Sequence, residues 1–185
     1  MKKIVALVLA LALTLGCCAA LAEAPAKTEI GSVDMAGAFK LQCTLPDTYE
    51  ISIVQKDNES LVADIVSSDE NKLSLSLVIE FEEAFYDVKR LDDLSEEILQ
   101  AIIETFPNYE EADVSYTETS HGTKLLMVKG YDDPISYVSF WTVYEGYEVE
   151  VFAYDDIEGG ERLSDELIKT IIDFLSDMDF IPEDK

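Results

Sequence analysis

An α+β fold is predicted by three features of this 185-residue sequence: apolar residues alternating with a period of two in several stretches, turn signals between most of them, and two stretches with helical period. Read in order they give β4-α-β4-α. Runs of hairpins imply an antiparallel sheet of about seven or eight strands, and two amphipathic helices need its faces to bury their stripes.

The first strand spans about residues 38–44, where Phe39, Leu41 and Cys43 alternate with Lys40, Gln42 and Thr44; Pro46-Asp47 then turns the chain. "TYEISIV" carries Tyr49, Ile51 and Ile53 on one face, and about residues 60–66 carry Leu61, Ala63 and Ile65. After the turn "SSDENK", the stretch "LSLSLVIEF" holds Leu73, Leu75, Leu77, Ile79 and Phe81 in strict alternation, the clearest strand in the chain.

The period then changes. In "RLDDLSEEILQAIIETFP", Leu94, Ile98, Ala101, Ile102 and Phe106 recur at helical spacing, with Asp93 as the expected N-cap, Glu96 completing a capping box and Pro107 as the stop. Four strands follow, at about 112–119, 123–131, 137–144 and 147–154, separated by "SHGT", "DDPIS" and "EG". In "LSDELIKTIIDFLSDM" the residues Leu167, Ile168, Ile171, Ile172, Leu175 and Met178 form one stripe behind a Ser164 cap.

Ahead of this domain, Met1-Lys2-Lys3 and the apolar run Ile4–Leu15 have the layout of a secretory signal, and the run is shorter than the roughly 20 residues a membrane span needs. Ala20-Leu21-Ala22 fits the small-x-small cleavage rule, so release before Glu23 is expected; the alternative is lipidation at Cys17 or Cys18, whose flanking residues match a lipoprotein box only in part. Either route places the domain outside the cytoplasm, secreted or in the cell envelope, with no membrane insertion after cleavage. The expected organisation is a signal over 1–22, a flexible tether over 23–35 and a single domain over 36–182.

Lys+Arg number 13 against 39 Asp+Glu, a net charge of −26 that becomes −28 once Lys2 and Lys3 leave with the signal. Phosphate-rich partners would be repelled, so nucleic acid is excluded and a cationic protein or a glycan is the expected class of partner. Cys43 alone survives cleavage; no intramolecular disulfide can form, and its place on an inward strand face makes it a core thiol.

Absent motifs narrow the chemistry further. The single histidine, His121, precedes Gly122 in a turn, and a His-based zinc site or Cys-His dyad would have to use that one ring; G-x-S-x-G, Gly-rich phosphate loops and Cys-x-x-Cys are all missing. "YDDIEGGERLSDE" supplies Asp155, Asp156, Glu158 and Glu161, oxygen ligands of the kind calcium uses, although the spacing is not that of an EF-hand. The plain reading is a solvated acidic connection into a helix N-terminus. No other cofactor is expected.

Closing a hairpin at "EG" pairs Tyr144 with Tyr147, Trp141 with Glu150 and Tyr137 with Tyr154. One face then carries Val138, Phe140, Thr142, Tyr144, Tyr147, Val149, Val151 and Ala153 for the core; the other carries Tyr137, Trp141, Val143, Glu148, Glu150, Phe152 and Tyr154. Counting on through "DDPIS" adds Met127, Lys129 and Tyr131 to that second face. Tyr137, Trp141, Glu150, Tyr154 and Lys129 thus form the candidate ligand surface, unless a helix covers it and the glutamates mark its wet margin.

The strand closed by "TLPDTYE", the "KLLMVKGY" strand, the hairpin "YVSFWTVYEGYEVEVFAY" and the C-terminal helix together resemble the PsbP/DcrB-like secreted α/β sandwich domains, many of unknown function. The resemblance covers nearly all of the chain after the signal. It implies a central antiparallel sheet with helices on its faces, no established enzyme activity for many members, and no site residue. The functional expectation is therefore an exported, non-catalytic binding or scaffolding domain; the alternative is a small carboxylate- or metal-dependent hydrolase.

Overall fold

Leu75, Leu77 and Ile79 bury one side of the strand with the strictest alternation while Ser74, Ser76 and Val78 show on the other, and the whole architecture is organised about that strand. The computed structural model describes residues 27–32, 39–45, 49–56, 59–67, 74–132, 135–155 and 163–182. Ten strands appear among them: β1 (Lys27–Ser32), β2 (Phe39–Thr44), β3 (Tyr49–Lys56), β4 (Ser60–Ser67), β5 (Ser74–Phe81), β6 (Asp113–Glu118), β7 (Lys124–Asp132), β8 (Ile135–Tyr144), β9 (Tyr147–Asp155) and β10 (Asp179–Pro182). Helix α1 is Glu96–Ile103 and α2 is Asp165–Ser176, with short 3-10 turns at Glu83–Phe85, Leu91–Asp93 and Tyr109–Glu111.

Seven strands form one antiparallel sheet in the order β3-β4-β5-β9-β8-β7-β6, while β1, β2 and β10 form a separate three-stranded sheet. The α+β class is as expected, but the single sheet is not. Strand β2 leaves the main sheet and pairs with β1 and β10, laying Phe39, Leu41 and Cys43 on the core. Alternation reports that a strand has one buried face, not which strands it joins, so this division was invisible in the sequence. Residues 27–32, inside the span expected to be a tether, form β1.

The main sheet buries both faces unequally. On one face, Leu61, Ala63, Ile65, Leu77, Phe140, Val149 and Val151 meet Ile168, Ile171, Phe174 and Leu175 of α2 beside the small sheet. On the other, Leu126, Val128, Tyr137, Trp141 and Val143 meet Leu91, Leu94 and the inward side of α1. A seven-stranded sheet is about 29 Å wide, whereas a helix is about 10 Å across, so α1 alone cannot cover its face. Beyond it, Asp64, Ser76 and Val78 remain half-buried and Val66 and Glu80 exposed.

Helix α2 matches the sequence reading: Ser164 Oγ accepts from the Leu167 amide at 3.2 Å, and Ile168, Ile171 and Leu175 are buried. Helix α1 does not. Its N-cap is Ser95, whose Oγ accepts from the Ile98 amide at 3.3 Å, and Leu94 is extended rather than helical. Asp93 instead caps the preceding turn, its Oδ2 accepting from the amides of Lys89 (3.3 Å) and Arg90 (3.2 Å). With Leu94 outside the helix, Leu99, Ile102, Ile103 and Phe106 make the inward stripe, and Ile98 is 43% exposed.

Candidate functional site

The second face of the β8–β9 hairpin carries the site. Glu145 and Gly146 both have positive φ, 50° and 86°, the two-residue turn whose twist suits a tight hairpin. It sets the expected register: Tyr144 opposite Tyr147, Trp141 opposite Glu150, Tyr137 opposite Tyr154. Glu148, Glu150 and Phe152 therefore project beside Trp141, toward α1.

Two of the predicted site residues are not surface groups. Trp141 is 2% exposed, packs edge-on against Phe85 with ring centroids 5.9 Å apart, and donates its Nε1–H to Glu148 Oε1. Tyr137 is buried too; its hydroxyl donates to the Pro107 carbonyl at 2.6 Å, and its ring stacks between Phe106 and Phe152 at 6.5 and 6.0 Å. Burial, reinforced by the negative charge of Asp132, raises the Tyr137 pKa and keeps that hydroxyl a donor. The aromatic platform is thus the floor of α1, as the covered reading of that face anticipated.

Lys129 is not on this face. The β7–β8 register pairs Leu126 with Trp141, Met127 with Phe140 and Lys129 with Val138, so Leu126 and Val128 share the Trp141 side. Met127 packs into the opposite core, and Lys129 Nζ lies 3.0 Å from Asp165 Oδ1 at the start of α2. The loop holds only residues 133 and 134, with Asp132 paired to Ile135; counting "DDPIS" as a longer loop shifted the register by one, which moves every side chain to the other face. Tyr154 and Asp155 end strand β9. Asp156, Glu158, Glu161, Cys17 and Cys18 lie outside the described residues.

What remains open is a groove of about 360 Å³ between the C-terminal end of α1 and the uncovered half of the sheet. Ile102, Thr105, Phe106 and Pro107 form one wall, Ser76 and Val78 of β5 the other, and Trp141, Glu148, Glu150 and Phe152 the floor. Ser139 Oγ donates to Glu150 Oε1 at 2.6 Å and holds that carboxylate in place. Burial keeps the Glu148 carboxyl above its usual range; Glu150, Glu82 and Glu80 push the same way, and the Trp141 hydrogen bond opposes them. The arrangement offers two acceptor groups from one strand, set in apolar walls. The β5 wall is not legible in the sequence because β5 is not adjacent to β8 in the chain, and a helix cover is legible there only without its position; the i, i+2 spacing of Glu148 and Glu150 is the signal for the carboxylates.

Elsewhere, Cys43 is fully buried, its thiol pushed up to about 12 by burial and the neighbouring Asp177 carboxylate, as a core thiol should be. Asp177 itself accepts a hydrogen bond from Thr44 Oγ1. Among the described residues no group of three or more His, Cys, Asp or Glu side chains is placed to hold a metal ion. No helix among them is long and apolar enough to cross a membrane. A scan against protein-family models finds no match to this chain, and a search of curated proteins finds none either.

Proposed function

We propose that this chain is an exported binding domain and that its contact surface is the groove between α1 and the open half of the seven-stranded sheet. The ligand that fits is a cation on an apolar stem, such as a lysine or arginine side chain presented by a partner protein. One observation carries the reading: Glu148 and Glu150 project side by side into a groove whose walls are mostly Ile102, Phe106, Val78 and Phe152. A long basic side chain would lay its methylenes on those walls and its charge on the carboxylates. Both carboxylates come from one strand rather than from facing walls, an arrangement that supports holding a charge more than splitting a bond held between two acids.

The sequence contains one tryptophan, and Trp141 is hydrogen-bonded to Glu148, so its fluorescence reports directly on the groove. Titration with a lysine- or arginine-bearing peptide should change the emission saturably, and Glu148→Gln with Glu150→Gln should weaken that response by about tenfold or more. An unchanged response in the double variant, or a response to a neutral oligosaccharide alone, would sink the cationic reading. Export is part of the same proposal, supported by the residues 1–22 pattern and tested by the mass of the mature N-terminus, where cleavage before Glu23 and acylation of Cys17 or Cys18 differ by hundreds of daltons. The run β2–β5, α1, β6–β9, α2 supports placing the fold among PsbP/DcrB-like sandwiches.

A further inference from the structure

In a chain where acidic side chains outnumber basic ones 39 to 13, three of the thirteen and the only histidine converge on one cleft of about 340 Å³, formed where the turn before α1 meets the ends of β7, β8 and β10. The cleft shares no lining residue with the groove beside α1. Two of its basic groups are already engaged: Lys124 Nζ lies 2.9 Å from Asp92 Oδ1, and His121 Nδ1 lies 3.7 Å from Asp179 Oδ2. The Lys124 pair neutralises Asp92. Lys89 and Arg90 have no carboxylate partner among the described residues, and Glu145 is the one further acid on the wall. Lys89, Arg90 and Lys124 thus balance Asp92, Glu145 and Asp179 on the lining, a locally neutral patch inside a strongly negative molecule.

The backbone holding those two cations is fixed from three directions. Arg90 forms a β-bridge with Tyr144, the Glu145 amide donates to the Lys89 carbonyl at 3.0 Å, and Asp93 accepts from both the Lys89 and Arg90 amides. The Lys89 ammonium is a point charge and the Arg90 guanidinium a fork, and both residues line the cleft; the two donor types together are a pairing that recognises oxyanions.

We propose that this cleft binds a small solute through a phosphoryl or carboxylate group, with Arg90 and Lys89 as the charged donors. It is a second site, independent of the groove, and of opposite charge preference.

His121 is the only histidine and lines the cleft, so its ring resonances are an unambiguous probe. The folded chain is titrated with inorganic phosphate and, separately, with succinate, at constant pH and ionic strength. The His121 signals should shift saturably with at least one, and the midpoint should rise by about fivefold or more in Arg90→Gln and in Lys89→Gln while staying put in Lys169→Gln on α2. Response to phosphate alone assigns a phosphoryl ligand, response to succinate alone a carboxylate, and response to both a general oxyanion site. No shift with either up to about 50 mM, beyond the range of weak binding, overturns the proposal. So does a midpoint that is the same in wild type and both cleft variants, with amide spectra showing that each variant is folded.

Discussion

The two faces of the seven-stranded sheet differ in how they are covered, and that difference accounts for where this molecule has room to bind anything. One face lies under a twelve-residue helix and a three-stranded sheet, and its side chains are mostly apolar from β4 through β8, with Ser136 and Thr142 the buried polar residues on it. The other lies under an eight-residue helix, and where that cover ends the strand faces turn polar: Asp64, Ser76, Glu80, Glu148 and Glu150. Coverage, not composition, separates core from site. The same strand β9 supplies Val149 and Val151 to the sealed core and Glu148 and Glu150 to the groove.

Truncation should break the two faces apart most clearly. Leu77→Ala, at a fully buried position of the sealed face, should cost about 2–5 kcal/mol, whereas Val78→Ala on the half-covered face should cost less than about 1 kcal/mol, both read from denaturant midpoints. Equal costs would mean the second face is as tightly covered as the first.

The covered part of that second face should be stiffer than its margin. A Cβ on Gly130 would lie 2.3 Å from the Tyr137 hydroxyl oxygen and 2.4 Å from Cζ, so Gly130→Ala must displace the ring that bonds to Pro107 and stacks on Phe106. About 1–3 kcal/mol of destabilisation is expected, with altered near-ultraviolet dichroism. A neutral outcome would show that the Tyr137 stack yields freely.

The two helices sharpen the contrast at smaller scale. Ser164→Ala removes the cap of α2 and should lower stability by about 1 kcal/mol in thermal melts. Loss of the Ser95 cap should cost less globally, because α1 buries no residue fully and its fraying leaves the sealed core intact.

The smallest effect is electrostatic. Burial raises the Glu148 pKa in the folded state, so the folded chain holds that proton more tightly than the unfolded one. Its contribution to stability is present below the ordinary carboxylate range and is lost as pH rises through the raised folded value. Glu148→Gln should therefore flatten the fall in stability over that window, measured as the difference between wild-type and variant melts. A wild-type stability that rises relative to the variant as pH increases through that window would reverse the sign.

Local pattern was most legible where a short turn couples two strands. The "EG" turn admits one register, so every β8–β9 pair and both faces of that hairpin could be read from the residues. The same counting fails one hairpin earlier: reading "DDPIS" as the whole connection shifts the register by one and puts Lys129 on the wrong face, whereas Asp132 pairs with Ile135. Parity makes such errors total rather than partial. Asp93 likewise had the chemistry of a cap but spends it on the turn ahead of α1, since several acids near a helix start are equivalent in sequence and only the chain path selects one.

The positions of β2 to β9 and of α2, the acidic balance, the buried thiol of Cys43 and the β8–β9 register were determined by the sequence alone, because periodicity, charge and tight-turn geometry act over a few residues. The separation of β2 into a second sheet, the burial of Trp141, the groove beside α1 and the gathering of Lys89, Arg90, Lys124 and His121 were decided by tertiary structure. Each depends on which distant segments share a surface. An alternating strand fits many partners equally well, and the choice among them is made by the total area each arrangement buries, which no local window contains.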